Sequence, residues 1–213
     1  KFLIKGPCKI KGEIFISGSK NAALPILAAS LLFDKPVTLR NLPRVKDIDT
    51  MLNLLKSLGS KISLSKDKKT AKIHNQKKMK TFCPYSIVRT FRGSIIVLGA
   101  LIGKHQKCTI SLPGGCLIGA RPLNLHLSAL KKLNMNFDIK KGYIYARVDK
   151  KLKGANIEFS KISVGATQNL IIAACLASGK TILRNCAIEP EIIDLTNFLT
   201  SAGANIKWLG KRT

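Results

Sequence analysis

The chain repeats one order of predicted elements three times within its 213 residues. Each copy has an apolar helix, a strand headed by threonine, an amphipathic helix and a further strand. The threonines are Thr38, Thr109 and Thr181, which stand 71 and 72 residues apart. A regular internal repeat of this kind indicates that one structural unit is used several times. The repeat therefore predicts a fold with pseudo-threefold symmetry.

Two kinds of helix are predicted in these units. The helices over 47–58 and 191–199 place apolar residues at i, i+3, i+4 and i+7, which indicates that one face of each is buried. The helices that begin near Ala22, Ser94 and Gly165 are apolar almost all round and therefore belong inside the domain. We expect an α/β (α+β) fold in which strands and helices pack about central helices, unlike a doubly wound sheet.

The amphipathic helices are expected to end at residues that tolerate a left-handed backbone. These residues are Gly59, Asn134 and Gly203. The second copy is the most diverged: a strand pair with its turn at Gly142 follows its amphipathic helix. Its threonine-headed strand is also the one that runs into a pair of glycines, at 114–115.

The formal charge of +26 results from 37 lysine and arginine residues against 11 aspartate and glutamate residues. Clustered cations would favour nucleic-acid binding, but here they are scattered. The densest groups, at 65–72 and 76–80, lie in predicted loops with almost no aromatic residue for base stacking. We therefore expect no specific nucleic-acid partner, and a charge that helps to attract anionic substrates. A non-catalytic basic RNA-binding or scaffold protein stays open as an alternative.

No apolar run reaches the roughly 18 residues that a membrane span needs. Lysines interrupt the apolar residues near position 1, so no signal peptide is predicted, and the absence of an initiator methionine suggests a trimmed or partial chain. We expect a cytoplasmic protein without a membrane partner. The six cysteines include no CxxC pair and no histidine at zinc-finger spacing, which predicts free thiols and no metal. Four are interpreted as small buried hydrophobes: Cys8, Cys108, Cys175 and Cys186.

One loop is suited to contact with a ligand. In SLPGGCLIGARPLNLH, residues 111–126, Cys116 stands between the glycine pair and Arg121. Glycine lets the backbone adopt positive φ or approach a ligand closely, and the guanidinium of Arg121 can meet a phosphate. Glycine and proline mark ordinary turns more often than active sites, so the loop by itself fits either an ordinary turn or a ligand-binding loop.

Five stretches, in the same order, resemble those of the enolpyruvyl transferase family, in particular the branch that acts on UDP-N-acetylglucosamine. They are ISGSKNAALPIL (16–27), LPRVKDIDTM (42–51), SLPGGCLIGARPLNLH (111–126), KISVGAT (161–167) and EPEIIDLTNFL (189–199). The resemblance covers essentially the whole chain. It implies two domains, each an inside-out barrel of three repeated β/α units. Residues 1–20 would then be opening strands that belong to the second domain, and residues 21–213 the first, cysteine-loop domain without its final strand.

The resemblance implies transfer of the enolpyruvyl group of phosphoenolpyruvate to the 3′-hydroxyl of UDP-N-acetylglucosamine, the first committed step of peptidoglycan synthesis, without a cofactor. It makes Cys116 the catalytic residue, because a thiol that is protonated at neutral pH can protonate C3 of phosphoenolpyruvate and its sulfur can add to C2. In the family this cysteine forms such an adduct and is the target of fosfomycin. The related enzymes that act on shikimate 3-phosphate lack the cysteine loop and are the nearest alternative.

The resemblance also implies which residues bind the substrates. Those for phosphoenolpyruvate are Lys20, Asn21 and Arg121. Those for UDP-N-acetylglucosamine are Arg92, Arg121, Pro122, Leu123, Asn124, Leu125, Lys161, Ser163, Val164 and Gly165. From the residues alone, the stretch around Lys20 is better interpreted as an ordinary helix N-cap made by Ser19 or Asn21.

Two departures from the family stand out. Asn124 replaces the usual aspartate, so an amide oxygen would have to accept the hydrogen bond of the uracil N–H. The family's general base, an aspartate, and further phosphate-binding arginines belong to its second half. The resemblance therefore implies a partner, which is a second half in the same or in a separate polypeptide.

Overall fold

The computed structural model describes residues 2–114 and 123–213. Its helices are α1 (Lys20–Ala29), α2 (Lys46–Leu58), α3 (Tyr85–Val88), α4 (Val97–His105), α5 (Asn124–Lys132), α6 (Val164–Ala174) and α7 (Pro190–Ser201). Its strands are β1 (Val37–Leu39), β2 (Ser60–Leu64), β3 (Ala71–Asn75), β4 (Phe82–Cys83), β5 (Lys107–Ser111), β6 (Asn136–Lys140), β7 (Tyr143–Arg147), β8 (Asn156–Glu158) and β9 (Ile182–Arg184). Two 3₁₀ segments, Ser30–Leu32 and Arg92–Ile96, follow α1 and precede α4. Within these ranges no helix has the length and apolar character needed to cross a membrane.

The strands form three sheets that share one order. The second unit has the order β4-β5-β7-β6, in which β4 is parallel to β5 and the other neighbours are antiparallel. The first unit repeats the antiparallel part as β1-β3-β2, and the third repeats the parallel pair as β8-β9. The predicted repeat is therefore confirmed. The threonines do not all head their strands: Thr38 and Thr109 lie in the middle of β1 and β5, because pairing to β3 and β7 begins before them.

Each unit places its apolar helix in the core and much of its sheet towards solvent. Helices α1, α4 and α6 are buried along most of their length, and α4 contacts both of the others. The amphipathic α2 and α7 pack on α1 through one apolar face, which includes Met51 and Leu55 of α2 and Leu195 of α7. Strands β2 and β6 are largely exposed. The mixed arrangement of helices and sheets agrees with the sequence, and its closure into a barrel stays a prediction.

The helix ends also agree with the sequence. Gly59 (φ 112°), Asn134 (φ 75°) and Gly203 (φ 100°) follow α2, α5 and α7 with a left-handed backbone. Gly142 (φ 75°) turns the hairpin between β6 and β7. These residues end each amphipathic helix and redirect the chain into the next strand or turn.

The described residues at either end of the chain carry no regular structure. Residues 2–19 form neither helix nor strand, and their large apolar side chains, such as those of Phe2 and Phe15, are exposed. Residues 202–213 contain no strand. The assignment of residues 1–20 to a second domain and of residues 21–213 to a first one stays a prediction.

Two glycines on α4 allow it to pack closely against α6. A Cβ atom added to Gly99 would lie 2.3 Å from the carbonyl oxygen of Asn169, and one added to Gly103 would lie 3.3 Å from that of Ala173. The two contacts are four residues apart on both helices. Gly99 meets Asn169 and Gly103 meets Ala173, so the contacts follow the same order along α4 and along α6. Helices α4 and α6 are therefore parallel, and their N-terminal ends lie at the same end of the domain.

Alanine substitutions at these two glycines should distinguish the effect of close packing on stability from the effect of helix propensity. Gly99→Ala should lower the free energy of unfolding by about 1–3 kcal/mol, because the new methyl group overlaps backbone and must displace α6. Gly103→Ala is the matched control and should be neutral or stabilising by up to about 1 kcal/mol, since alanine favours the helix and the contact needs only a small shift. Urea unfolding measures both. Equal effects of the two substitutions would contradict the packing described for α4 and α6.

Candidate active site

The N-terminal end of α6 is arranged to receive an anion. Ser163 caps the helix, and its Oγ accepts a hydrogen bond from the backbone N–H of Ala166 at 3.3 Å. The first turn contains no acidic residue. Val164 and Gly165 are partly buried, and Lys161 is exposed just before the cap. The free N–H groups and the positive end of the helix dipole therefore favour a bound phosphate here.

The beginning of α5 lies beside that end of α6. Leu123 precedes the helix, Asn124 is its exposed first residue, and Leu125 is partly buried. His126 is buried, and a Cβ atom at Gly165 would lie only 3.1 Å from its Cε1. The absence of a side chain at Gly165 thus allows the imidazole ring of α5 to pack on the first turn of α6.

Arg92 lies close to both of these elements. It is the partly buried first residue of the 3₁₀ segment before α4, and that segment contacts α6. Burial, and to a smaller extent the nearby positive charge of Arg92, lowers the pKa of His126 to about 4. The structure therefore brings together three predicted groups for the nucleotide sugar: Arg92, the residues 123–125 and the residues 163–165.

Lys20 and Asn21 are the first two residues of α1, and Ser19 caps that helix by accepting from the N–H of Ala22 at 3.4 Å. The Nζ of Lys20 donates to Oδ2 of Asp47 on α2 at 2.9 Å, and the two side chains are 46% and 35% exposed. An exposed ion pair of this kind contributes about 0–1 kcal/mol. A phosphate or carboxylate ligand can therefore compete with Asp47 for the ammonium group.

Cys116, Arg121 and Pro122 lie outside the described residues. The residues on either side of them can be located. Gly114 packs against α3, since a Cβ atom there would lie 2.7 Å from the carbonyl oxygen of Arg89. Leu123 lies at the beginning of α5, next to α6. The roles predicted for the three residues stay predictions.

Comparison with known proteins shows the family to which the chain belongs. The profile of the EPSP synthase (3-phosphoshikimate 1-carboxyvinyltransferase) family matches residues 4–213. The chain belongs to this family of enolpyruvyl transferases.

Among its relatives are proteins named UDP-N-acetylglucosamine 1-carboxyvinyltransferase. The one from Pelagibacter ubique is 60% identical over 213 residues, which are all of this chain and 51% of the relative. The one from Hamiltonella defensa is 50% identical over 211 residues, 99% of this chain and 50% of the relative. The chain thus spans about half the length of the curated relatives it matches.

Solved structures show the same fold. The enolpyruvyl transferase NikO from Streptomyces tendae superposes with a TM-score of 0.80 at 18% identity, over 92% of this chain and 46% of NikO. EPSP synthase from Acinetobacter baumannii superposes with a TM-score of 0.74 at 15% identity, over 93% of this chain and 45% of that enzyme. The three repeated units are therefore those of an enolpyruvyl transferase fold.

Sequence reasoning missed three polar residues in or beside the candidate site. Asp47 pairs with Lys20, and Asn169 of α6 donates from Nδ2 to Nδ1 of His126 at 3.0 Å. Asp47 and His126 both lie inside stretches that carry the family resemblance, which was the available signal. Asn169 lies in an apolar helix, and the periodicity of that helix gave no reason to single it out.

The cysteines of this family member differ in exposure more than the sequence suggested. Cys108 and Cys186 are buried as expected and Cys175 is partly buried, but Cys8 is exposed, because residues 2–19 pack on nothing that covers it. The interpretation of Cys8 as a buried hydrophobe was wrong. Burial raises the pKa of Cys175 and of Cys186 to about 11, and burial together with a hydrogen bond to Cys83 raises that of Cys108.

Alkylation of the folded chain with iodoacetamide at pH 8 should follow this order. Cys8 should be modified first among the described cysteines. Cys175 and Cys186 should be modified at least about tenfold more slowly, because a pKa of about 11 leaves little thiolate at pH 8 and burial limits access to the sulfur. Peptide mass spectrometry reads each site, and full labelling in urea is the control. Modification of Cys108 or Cys186 at the rate of Cys8 would contradict the burial described for them.

Proposed function

We propose that this chain forms one half of an enzyme that transfers the enolpyruvyl group of phosphoenolpyruvate to the 3′-hydroxyl of UDP-N-acetylglucosamine, a step of peptidoglycan synthesis. The observation that carries the proposal is the similarity of the whole chain, at 46–60% identity, to proteins named for this reaction. The anion-binding geometry at the N-terminal end of α6 supports it. The region of the relatives that this chain does not match would supply the other half of the site.

The nucleotide sugar would bind where α5, α6 and Arg92 meet. The backbone N–H groups of Val164 and Gly165 would donate to the diphosphate, with Lys161 and Arg92 balancing its charge. Residues 121–125 would hold the uridine, with the amide oxygen of Asn124 accepting from the uracil N–H. The first turn of α6 contains no acidic residue that would repel the two phosphates.

Phosphoenolpyruvate would be held by Lys20, Asn21 and Arg121. Lys20 would exchange its ion pair with Asp47 for the phosphate or carboxylate of this substrate. The exchange requires little free energy because the pair is exposed. Asp47 would thereby keep the ammonium group oriented while the site is empty.

Cys116 would act on phosphoenolpyruvate during the addition step. Its thiol would protonate C3 while the sugar 3′-hydroxyl, deprotonated by a base of the other half, attacks C2 to give a tetrahedral ketal. Loss of a proton from C3 and of phosphate from C2 would then restore the double bond, so no cofactor is needed. The same thiol would be alkylated by fosfomycin. A working thiol of this kind belongs in a reducing compartment, which agrees with the cytoplasmic location expected from the sequence.

The experiment that tests this function uses a fusion of residues 1–213 to the second half of the Pelagibacter ubique relative. The fusion should release phosphate from phosphoenolpyruvate and UDP-N-acetylglucosamine, whereas the 213-residue chain alone should release none. The chain alone lacks the second domain that must close over the substrates, exclude water and supply the base. Cys116→Ala in the fusion should abolish release, and Cys8→Ser is the matched control that should retain it.

Three outcomes would contradict this account. Turnover by the 213-residue chain alone, abolished by Cys116→Ala, would show that the second half is unnecessary. Full activity of the Cys116→Ala fusion would remove Cys116 from the reaction. Release that requires shikimate 3-phosphate instead of the nucleotide sugar would favour the reaction for which the matching family profile is named.

Asn124 offers a test of the uridine site. Asn124→Asp in the fusion should tighten UDP-N-acetylglucosamine binding by about 1 kcal/mol, roughly fivefold in Kd, because a carboxylate accepts a hydrogen bond more strongly than an amide. Calorimetry gives the Kd. An aspartate in the first turn also stabilises α5, so the rate of the reaction with fosfomycin serves as the control and should not change. An unchanged or weaker affinity would show that the amide is already sufficient.

A further inference from the structure

Asn169 is a buried amide in the middle of three helices. Its side chain is fully buried in α6, where almost all neighbours are apolar. The Oδ1 atom accepts from the backbone N–H of Gly99 on α4 at 2.6 Å. The Nδ2 atom donates to the carbonyl oxygen of Ile95 at 3.0 Å and to Nδ1 of His126 on α5, also at 3.0 Å. One side chain therefore connects α4, α5 and α6.

These contacts fix the protonation of His126. The N–H of Gly99 can only donate, so it must face Oδ1 of the Asn169 amide. The two hydrogens of Nδ2 then point to Ile95 and to Nδ1 of His126, which must accept. The imidazole is consequently neutral, with its proton on Nε2. This agrees with the pKa of His126, which burial and Arg92 lower to about 4.

The contact between Asn169 and His126 lies between two segments of the proposed nucleotide-sugar site. His126 follows residues 123–125 directly and packs on Gly165 in the first turn of α6. Asn169 lies about one helical turn beyond Gly165 on the same helix. A change in the distance from Nδ2 to Nδ1 would therefore move the two segments relative to each other.

We propose that Asn169 and His126 are positioning residues that set the spacing between residues 123–125 and the first turn of α6, and so the affinity for the nucleotide sugar. The proposal rests on the function proposed above. Neither residue needs to contact the substrate. The atom that matters is the Nδ1 acceptor, because without it one buried N–H of Asn169 has no partner and the ring loses its orientation.

Three substitutions of His126 in the fusion protein distinguish the roles of the two ring nitrogens. The side-chain oxygen of asparagine can take the place of Nδ1, whereas the terminal amide of glutamine reaches the place of Nε2. His126→Asn should keep the Kd for UDP-N-acetylglucosamine within about threefold of the parent, because the hydrogen bond from Asn169 survives. His126→Gln and His126→Leu should raise the Kd about tenfold, the effect of leaving one buried donor unpaired.

A second readout distinguishes positioning from loss of structure. The rate of fosfomycin addition to Cys116, measured by intact mass without nucleotide sugar, should change by less than about twofold in all three variants, because the proposal confines their effect to the nucleotide-sugar site. A larger Kd for His126→Asn than for His126→Gln would mean that Nε2 is the important atom and would overturn the proposal. Equal Kd values in all variants, or a rise in Kd accompanied by an equally large fall in the fosfomycin rate, would also overturn it. If the parent fusion does not bind UDP-N-acetylglucosamine at all, the function proposed above is wrong and this proposal falls with it.

Discussion

The close, parallel packing of α4 on α6 is the constraint on which the rest of the structure depends. It requires glycine at position 99, where the backbone of α6 occupies the space that a side chain would need. The polar groups at this contact are satisfied by one amide, since Asn169 accepts from Gly99 and donates to Ile95. A buried and fully paired amide favours one register of the two helices over others, because any shift would leave its groups without partners.

That register determines where the candidate site lies. Parallel central helices bring the 3₁₀ segment with Arg92 and the capped N-terminal end of α6 to the same end of the domain. The N-terminal end of α6, Arg92 and Lys161 then place positive charge in one region, and the first turns of α5 and α6 carry no acidic residue. Positive charge of this kind attracts phosphate groups, and Asn124 and Lys161 beside it are exposed to water. Strong electrostatic stabilisation needs water to be excluded, which gives a physical reason for a second half that closes over it.

Much of the fold could be predicted from the sequence because it depends on regular patterns. Apolar periodicity predicted the buried and amphipathic helices, and Gly59, Asn134 and Gly203 predicted their ends. The repeat predicted three similar units, and the strand order that their sheets share agrees with it. Patterns of this kind are local or periodic, so a single chain contains them in full.

The features that could not be predicted depend on single contacts between distant residues. The hydrogen bonds of Asn169 join residues about 43 to 74 positions apart, and no periodicity records them. The ion pair of Lys20 with Asp47 depends in the same way on how α1 meets α2. Cys8 was misjudged because its apolar neighbours in sequence, such as Ile10, are exposed in the structure. The roles of Cys116, Arg121 and Pro122 still depend on the family resemblance alone.

A crystal structure of the fusion protein with UDP-N-acetylglucosamine and fosfomycin would test the central claim most directly, which is that the end of the domain at α6 holds the nucleotide diphosphate. The account predicts phosphate oxygens within about 3 Å of the backbone nitrogens of Val164 or Gly165. It also predicts the fosfomycin carbon bonded to the sulfur of Cys116. A nucleotide sugar bound away from the N-terminal end of α6 would contradict the account, whatever the catalytic rate of the fusion.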